Sequence, residues 1–251
     1  MQLIVIGSGT GVPSLRRGSP SLAVKAGGRL LVLDLGSGSL RALLGHGLDF
    51  SAIDVLALSH LHPDHVGDLI PFLFATRYSL GYTRRDPFRL LAARGFSRFH
   101  DLLKEAFAGW VEPPPGLMDL RELDPDGPDA VRGDGLVIKS APTNHTTGSL
   151  AYRVEADGRS LVYSGDTDVS DSLADLAKDA DLLVSECANP FKVPGHLTPA
   201  EAGSLAARAG VGRLLLTHFY PPCDEVDVVA LAAREFDGDI LRAEDGLSLT
   251  V

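Results

Sequence analysis

Hydrophobic residues along the chain come in short runs separated by amphipathic stretches, and this alternation predicts strands and helices that follow one another. In the first half, the spacing predicts a helix of about ten residues from Ser39 and helices over 66–80 and 96–108. The strands that we expect there are 3–6, 21–24, 30–33, 53–58 and 88–92.

The second half of the chain repeats the layout. Helices are expected over 170–177, 199–209 and 226–236, and the second of them opens with a capping box, because Thr198 precedes Pro199 and Glu201. The expected strands are 136–139, 149–155, 160–163, 182–184 and 214–217, with short ones near Ile240 and Leu247. Residues 112–116 and 124–128 read as an irregular connection, so the pattern predicts one α/β domain over 1–251.

Potential metal ligands cluster directly after the strand expected at 53–58. The stretch Ser59-His60-Leu61-His62-Pro63-Asp64-His65 places His60 and His62 on the same side of an extended backbone. Pro63 then forces a turn, which brings Asp64 and His65 in from another direction. Nitrogen and oxygen donors at this spacing suit a pair of metal ions.

Further polar residues lie where later strands end or helices begin. Asp166 follows one of these strands, and Asp34 ends an earlier one, where it either orients a ligand histidine or is an ordinary turn residue. Of the eight histidines, we expect His46 and His100 to be solvated or hydrogen-bonded side chains. The others lie in loops beside strand or helix ends: His60, His62, His65, His145, His196 and His218.

Composition narrows the possible partners. The net charge of −10 argues against a protein whose whole surface binds nucleic acid. The segment from Arg77 to Lys104 has a local basic excess, which is either an anion-facing rim or a solvated or subunit-facing surface. No apolar run has the length of a membrane span and no signal peptide is evident, so we expect a soluble cytoplasmic protein without a membrane partner. Cys187 and Cys223 indicate neither a disulfide framework nor a thiolate site.

The motif His60-x-His62-x-Asp64-His65, followed by His145, Ser164-Gly165-Asp166-Thr167 and Thr217-His218, resembles the metallo-β-lactamase superfamily. The resemblance implies a four-layer αββα sandwich with a two-metal site at one edge of its sheets. It also implies that Asp166 bridges the two metals. The implied ligands are His60, His62 and His145 for one ion and Asp64, His65 and His218 for the other.

This implied ligand set suits two divalent ions, with zinc expected and manganese or iron as alternatives. Such a pair supplies hydroxide from a bridging water at neutral pH, so the resemblance implies a hydrolase in which Asp64 has a base-like role. Glu186 and the Gly195-His196-Leu197-Thr198 stretch are similar to the tRNase Z branch and its phosphodiesterase relatives. In that branch the histidine protonates the leaving oxygen and the glutamate orients it, so His196 and Glu186 inherit these catalytic roles.

The sequence departs from tRNase Z in ways that favour a smaller substrate. Only a tight hairpin joins His145 to Asp166, where that family inserts a tRNA-gripping arm, and the early loop keeps Pro13 and Arg17 but loses the family's lysine and asparagine. We therefore expect a phosphodiesterase that acts on a small or cyclic phosphodiester or on short RNA, and possible homodimerisation by analogy with relatives.

Three alternatives stay open from the sequence. The first is tRNA 3′ processing proper, with the basic run taking the place of the arm. The second is hydrolysis of a carboxylic ester, lactone or thioester, against which Glu186 and His196 argue. The third is a metal-bearing protein that is non-catalytic or redox-active, which the complete ligand set and the lack of a flavin-binding domain disfavour.

Overall fold

A computed structural model describes residues 1–78, 86–133 and 135–251. The strands within these ranges are β1 (Gln2–Gly7), β2 (Ser21–Ala26), β3 (Arg29–Leu33), β4 (Val55–Ala57), β5 (Phe88–Ala93), β6 (Met118–Leu123), β7 (Asp129–Gly133), β8 (Leu136–Pro142), β9 (Leu150–Ala156), β10 (Arg159–Tyr163), β11 (Leu182–Glu186), β12 (Arg213–Thr217), β13 (Asp239–Arg242) and β14 (Ser248–Thr250). The α-helices are α1 (Ser39–Gly45), α2 (Pro63–Val66), α3 (Leu69–Tyr78), α4 (Phe96–Ala106), α5 (Asp171–Ala177), α6 (Pro199–Ala209) and α7 (Val228–Ala232).

The strands form two seven-stranded sheets, in the orders β14-β1-β2-β3-β4-β5-β6 and β13-β12-β11-β10-β9-β8-β7. Strands β3 to β6 of the first sheet are parallel, as are β10 to β13 of the second. The remaining pairs in each sheet are antiparallel. Side chains that follow parallel strands meet at the carboxyl edge of a sheet, and this edge is where ligands bind in open α/β sheets.

Hydrophobic packing divides the molecule into layers. One buried cluster joins the two sheets, with Leu31 of β3 and Tyr152 of β9 among its members, and also includes Leu205 of α6. A second cluster packs Val32 of β3 against Phe72 of α3 and other residues of the helices on that side. The order helix, sheet, sheet, helix follows, and the predicted four-layer αββα sandwich is confirmed.

Several elements differ from the sequence prediction. The helix expected over 66–80 is two helices, α2 and α3, with Gly67 between them, and residues 79–80 lie outside the described residues. A side chain at Gly67 would place its Cβ 2.1 Å from Ser37 Oγ, so close packing against the loop after β3 requires glycine there. Strand β6 lies between residues 112–116 and 124–128, the two ranges expected to be irregular, and β7 follows the second of them.

Candidate metal centre and active site

The two sheets bring the predicted ligands together from separate parts of the chain. His60 and His62 lie in the loop after β4, and Asp64 and His65 lie in α2, where Pro63 is the first helical residue. His145, Asp166 and His218 follow β8, β10 and β12 of the second sheet. Every one of these residues is therefore at a strand end or in the first turn of a helix, as the sequence predicted.

Six histidine rings form a closed circuit. Each ring centroid lies close to the next, at 4.6 Å (His60–His62), 4.9 Å (His62–His145), 4.9 Å (His145–His196), 5.7 Å (His196–His218), 5.3 Å (His218–His65) and 4.1 Å (His65–His60). Imidazoles packed this densely repel one another when protonated, so the arrangement requires a neutral form or a negative partner.

Asp166 is the negative partner, and its carboxylate faces four of these rings. Its Oδ1 lies 3.2 Å from His218 Nε2 and 3.3 Å from His65 Nε2. Its Oδ2 lies 3.7 Å from His145 Nε2 and 3.8 Å from His60 Nε2. Each oxygen therefore faces one half of the circuit, which is the arrangement that a bridging carboxylate requires.

Two sets of donor atoms are close enough to hold metal ions, since within each set the atoms lie within 4.8 Å of one another. The first set comprises His60, His62, His145 and Asp166, and the second comprises Asp64, His65 and His218. A third overlapping set contains Asp166, His196 and His218. The first two sets contain the two ligand groups that the family resemblance implies, and Asp166, the implied bridge, belongs to the first.

Buried polar atoms without hydrogen-bond partners indicate whether the centre fits metal ions. The Nε2 atoms of His60, His65 and His218, and Asp166 Oδ1, are buried and have no hydrogen-bond partner among the described residues. Buried polar atoms of this kind cost free energy unless something binds them. Their convergence on a common space, with nitrogen and carboxylate donors, fits divalent metal ions.

The protonation states of four of these groups suit metal binding. Burial lowers the pKa of His60 to about 2, and burial also lowers the pKa of His62 and His145, so these imidazoles are neutral at pH 7. Burial opposes the ionisation of Asp166, but His218 and His65 outweigh it and hold the pKa of Asp166 well below its ordinary value. Neutral imidazole and ionised carboxylate are the forms that bind metals.

Asp34 orients one of the predicted ligands. Its Oδ2 accepts hydrogen bonds from His65 Nδ1 at 2.7 Å, Ser59 Oγ at 2.7 Å and Tyr163 OH at 2.8 Å, and all four side chains are buried. The Nδ1 proton of His65 is thereby fixed, which leaves Nε2 to face Asp166. Of the two interpretations of Asp34, the structure supports the orienting one.

Backbone conformation also marks this edge. Asp34 and His218 have φ angles of 58° and 59°, in the left-handed region that residues other than glycine seldom adopt. Such positions concentrate at functional sites, where surrounding contacts hold them. The two residues lie at the ends of β3 and β12, which belong to different sheets.

Glu186 and His196 form a pair beside the predicted ligands. His196 Nδ1 lies 3.0 Å from Glu186 Oε1, and the same oxygen accepts the backbone N–H of Thr167 at 2.7 Å. Burial and the nearby Asp166 raise the pKa of Glu186 well above its ordinary value. Because Nδ1 is engaged, Nε2 is the nitrogen of His196 that is left to act on a substrate.

The cationic residues that could have bound nucleic acid are largely engaged elsewhere. Arg17 is buried and donates to Ser8 Oγ, the Ala243 carbonyl and Asp224. Most described members of the basic run also have partners, namely Arg77 with the Glu112 carbonyl, Arg89 with Asp119, Arg94 with Asp124 and Asp126, and Lys104 with Asp101. Arg84 and Arg85 lie outside the described residues.

Sequence reasoning missed three residues of the centre. Ser59 and Tyr163 hold Asp34, and the Tyr220 ring lies 6.3 Å from His196 and 6.0 Å from His218. The position of Tyr220 two residues after a predicted ligand was a usable signal. Nothing in the sequence distinguishes the hydroxyls of Ser59 and Tyr163 from those of ordinary core residues.

No helix among the described residues is both long and apolar enough to cross a membrane.

Comparisons with known proteins agree with this architecture. Residues 33–219 match the family model described as a beta-lactamase superfamily domain. A ribonuclease Z of Mycolicibacterium paratuberculosis is 34% identical, over 98% of this chain and 96% of its own length.

Solved structures are similar over almost the whole chain. The metallo-β-lactamase fold protein YhfI of Bacillus subtilis has a TM-score of 0.83 and 26% identity, covering 99% of this chain and 98% of its own. Human tRNase Z, short form, has a TM-score of 0.77 and 22% identity, covering 100% of this chain and 99% of its own. The chain thus belongs to the metallo-β-lactamase superfamily, as a metal-dependent hydrolase of its tRNase Z-like branch.

Proposed function

We propose that the protein is a two-metal phosphodiesterase and that its single domain spans residues 1–251. His60, His62 and His145 would hold one divalent ion, Asp64, His65 and His218 would hold the other, and Asp166 would serve both. When bound, such a pair activates water at neutral pH and stabilises negative charge on oxygen. The donor set of five imidazoles and two carboxylates favours zinc over magnesium or calcium.

The observation that carries this proposal is the hydrogen bond of 3.0 Å between His196 Nδ1 and Glu186. His196 stands in the histidine circuit but is not needed to complete either predicted ligand set. Its free Nε2 can donate a proton to the oxygen that leaves phosphorus, while Glu186 keeps the ring in place. A thioester gives this pair less to do, because a thiolate leaves without protonation, whereas carboxylic esters and lactones release an alkoxide and are separated by the assays below.

Asp64 has the base-like role. Its Oδ2 lies 3.7 Å from His218 Nε2 and 3.8 Å from His65 Nε2, at the edge of the centre. Burial alone would raise the pKa of Asp64, but the nearby His218 and His65 lower that pKa to about 2. The carboxylate is therefore ionised and can accept a proton from the attacking water.

Three features favour a small or cyclic phosphodiester as substrate. The chain between His145 and Asp166 is occupied by the β9–β10 hairpin, so the tRNA-gripping arm expected of tRNase Z has no place there. Arg17 is buried, and most described residues of the basic run are paired with carboxylates or carbonyls. A long anionic strand would need free cationic side chains that these residues do not supply.

RNA is the second candidate, and a specific observation favours it. The relative named ribonuclease Z matches 98% of this chain, so the likeness extends well beyond the metal-binding motifs. Under this alternative the protein cleaves precursor tRNA at its 3′ side. The decrease of the cleavage rate with salt concentration then reports how many phosphates the protein contacts. The expected homodimer stays a prediction.

One set of assays on zinc-loaded protein separates these possibilities. The probes are bis(p-nitrophenyl) phosphate, a 2′,3′-cyclic nucleotide, a precursor tRNA with a 3′ trailer, and a panel of acyl esters, lactones and thioesters. We expect turnover of the first two and little cleavage of the tRNA. Preferential cleavage of the tRNA, with a steep salt dependence, would establish the RNA alternative, and turnover confined to the acyl panel would overturn both.

Two variants test the assigned roles. His62→Ala should bind fewer than two metal ions per chain and lose more than about a hundredfold in phosphodiesterase activity. His196→Ala should keep both metals and lose about 10²- to 10⁴-fold in kcat on the 2′,3′-cyclic nucleotide, whose leaving alkoxide needs a proton. The matched control is His46→Ala, because His46 is exposed and lies outside the circuit, and it should behave as the wild type.

A further inference from the structure

A pocket of about 290 Å³ opens beside the metal centre, at the carboxyl ends of β4 and β5. One side of it is formed by His60 and His62, both predicted ligands of the same ion. The rest is largely apolar or small, with Leu58, Ala92, Ala93, Phe96 and Gly148 among the lining residues. The proposed reaction assigns no role to this pocket.

The pocket lies on the side of the histidine circuit away from His196. His60 and His62 are neighbours in the circuit, and His145 stands between them and His196 in one direction. In the other direction His65 and His218 stand between them. His196 does not line the pocket. A group in this space is therefore close to the metals and separated from the predicted proton donor.

The walls select an uncharged occupant. Leu58, Ala92 and Phe96 line its base, and none of these side chains carries a polar group. Arg94 is the cation among the described lining residues, and its guanidinium already bonds Asp124 at 2.6 Å and Asp126 at 3.2 Å. Such walls favour a flat apolar ring and give a second phosphate no positive partner.

From this arrangement we propose that the pocket binds the organic substituent that stays on phosphorus, and that this substituent is an uncharged ring such as a nucleobase. The inference rests on the proposed phosphodiesterase function. In hydrolysis the bond from phosphorus to the leaving oxygen breaks, and a bond from phosphorus to the water oxygen forms. His196 gives a proton to the leaving oxygen, Asp64 takes one from the water, and the other ester oxygen keeps its bond.

The retained ester group must point away from His196, because that residue serves the leaving oxygen. The pocket beside His60 and His62 is the apolar space on that side, and its volume is near the lower end for small-ligand sites. A single ring system fills it, whereas a methyl group leaves most of it empty. Specificity for the retained substituent should therefore appear mainly in KM.

Three diesters with a common p-nitrophenolate leaving group test this proposal on the zinc-loaded protein. Their retained substituents are methyl, phenyl and thymidine 5′-yl. We expect KM to be about tenfold lower for phenyl and thymidine than for methyl, since only the rings bury apolar surface. Equal KM values for all three would overturn the pocket assignment but leave the phosphodiesterase function intact. Hydrolysis of none of them would overturn the proposed function itself.

Variants locate the effect in the pocket. Ala93→Phe fills the space from the end of β5, and it should raise KM for the ring-bearing diesters to the methyl value while turnover of the methyl diester is kept. The matched control is Ala130→Phe, the same change on an exposed residue of β7 outside the pocket. If Ala93→Phe does not fold, Thr147→Trp adds bulk from an exposed loop residue that lines the same pocket. Retention of the wild-type KM pattern in a folded pocket variant would contradict the proposal.

Discussion

At the scale of single residues, the centre depends on groups that fix which nitrogen is free in His65, His145 and His196. Asp34 is the fullest case, because one of its oxygens accepts three hydrogen bonds, from His65, Ser59 and Tyr163. His145 is held in a similar way, with its Nδ1 lying 2.9 Å from the Gly195 carbonyl oxygen. The positions of the donor atoms therefore depend on the residues that hydrogen-bond to the ligands as well as on the ligands themselves.

Replacing Asp34 by asparagine tests this dependence. An amide has one acceptor oxygen where the carboxylate has two, so its NH₂ group would face a buried donor. We expect metal affinity to fall about 10- to 100-fold, and the free energy of unfolding of the metal-free protein to fall by about 1–3 kcal/mol. Competition with a chelating dye measures the first quantity, and urea denaturation measures the second.

Asp54→Asn is the matched control for this variant. Asp54 also bonds a backbone N–H and a side chain, those of Leu30 and Arg29, but it does not belong to the metal centre. We expect Asp54→Asn to leave metal affinity unchanged. Metal affinity at the wild-type level in Asp34→Asn would show that His65 keeps its orientation without the carboxylate.

The sequence revealed the residues that converge but not those that hold them. Histidines and aspartates that directly follow apolar runs are recognisable as candidate metal ligands, because few other residues offer metal-binding atoms at strand ends. Tyr163 gives no such signal, since a buried tyrosine in a strand is usually core, and only the fold shows that its hydroxyl reaches Asp34 from the second sheet. The metal-binding roles of the seven convergent residues stay a prediction that the metal analysis above will test.

At the scale of elements, helix α6 sets the position of His196. Thr198 is its N-cap, and the capping box predicted from the sequence is present, because Thr198 Oγ1 accepts the Glu201 N–H while Glu201 bonds the Thr198 N–H. Lys192 also contacts Glu201 and donates to the carbonyl of His196. The start of the helix and the loop that carries His196 thus form one hydrogen-bonded unit.

Loss of this cap should therefore affect catalysis as well as stability. We expect Thr198→Ala to reduce the free energy of unfolding by about 1 kcal/mol and to lower kcat through a displaced His196. Ser170→Ala removes the corresponding cap of α5, where Ser170 Oγ accepts the Leu173 N–H. It should cost a similar stability and leave kcat unchanged. Equal kcat in both variants would mean that the cap does not position His196.

Strands β6 and β7 show where element prediction from the sequence fails. Both lie at the edges of their sheets, and β6 alternates Met118 and Leu120 with the exposed Asp119 and Arg121. Edge strands carry charges that discourage pairing with other chains, so they lack the continuous apolar run by which the central strands were recognised. The central strands were found because they are buried on both faces, and this burial is also what places their ends at the metal centre.

At the scale of the whole molecule, the centre joins the two sheets. The first sheet and the helix after it supply His60, His62, Asp64 and His65, and the second sheet supplies His145, Asp166 and His218. Ions bound between them would link the two halves of the chain and would satisfy buried atoms that have no other partner among the described residues. Metal binding should therefore stabilise the native fold, since the unfolded chain cannot bring these donors together.

Thermal unfolding of chelated and zinc-loaded protein measures this link. Free zinc at about a thousand times its Kd adds about 4 kcal/mol to the native state. For a chain of 251 residues this corresponds to a rise in Tm on the order of 10 °C. His62→Ala should show a smaller rise, because one ligand set is incomplete, whereas His46→Ala should match the wild type. A Tm that zinc leaves unchanged in the wild type would show that the convergent histidines and aspartates do not bind it, and the two-metal assignment would then fail.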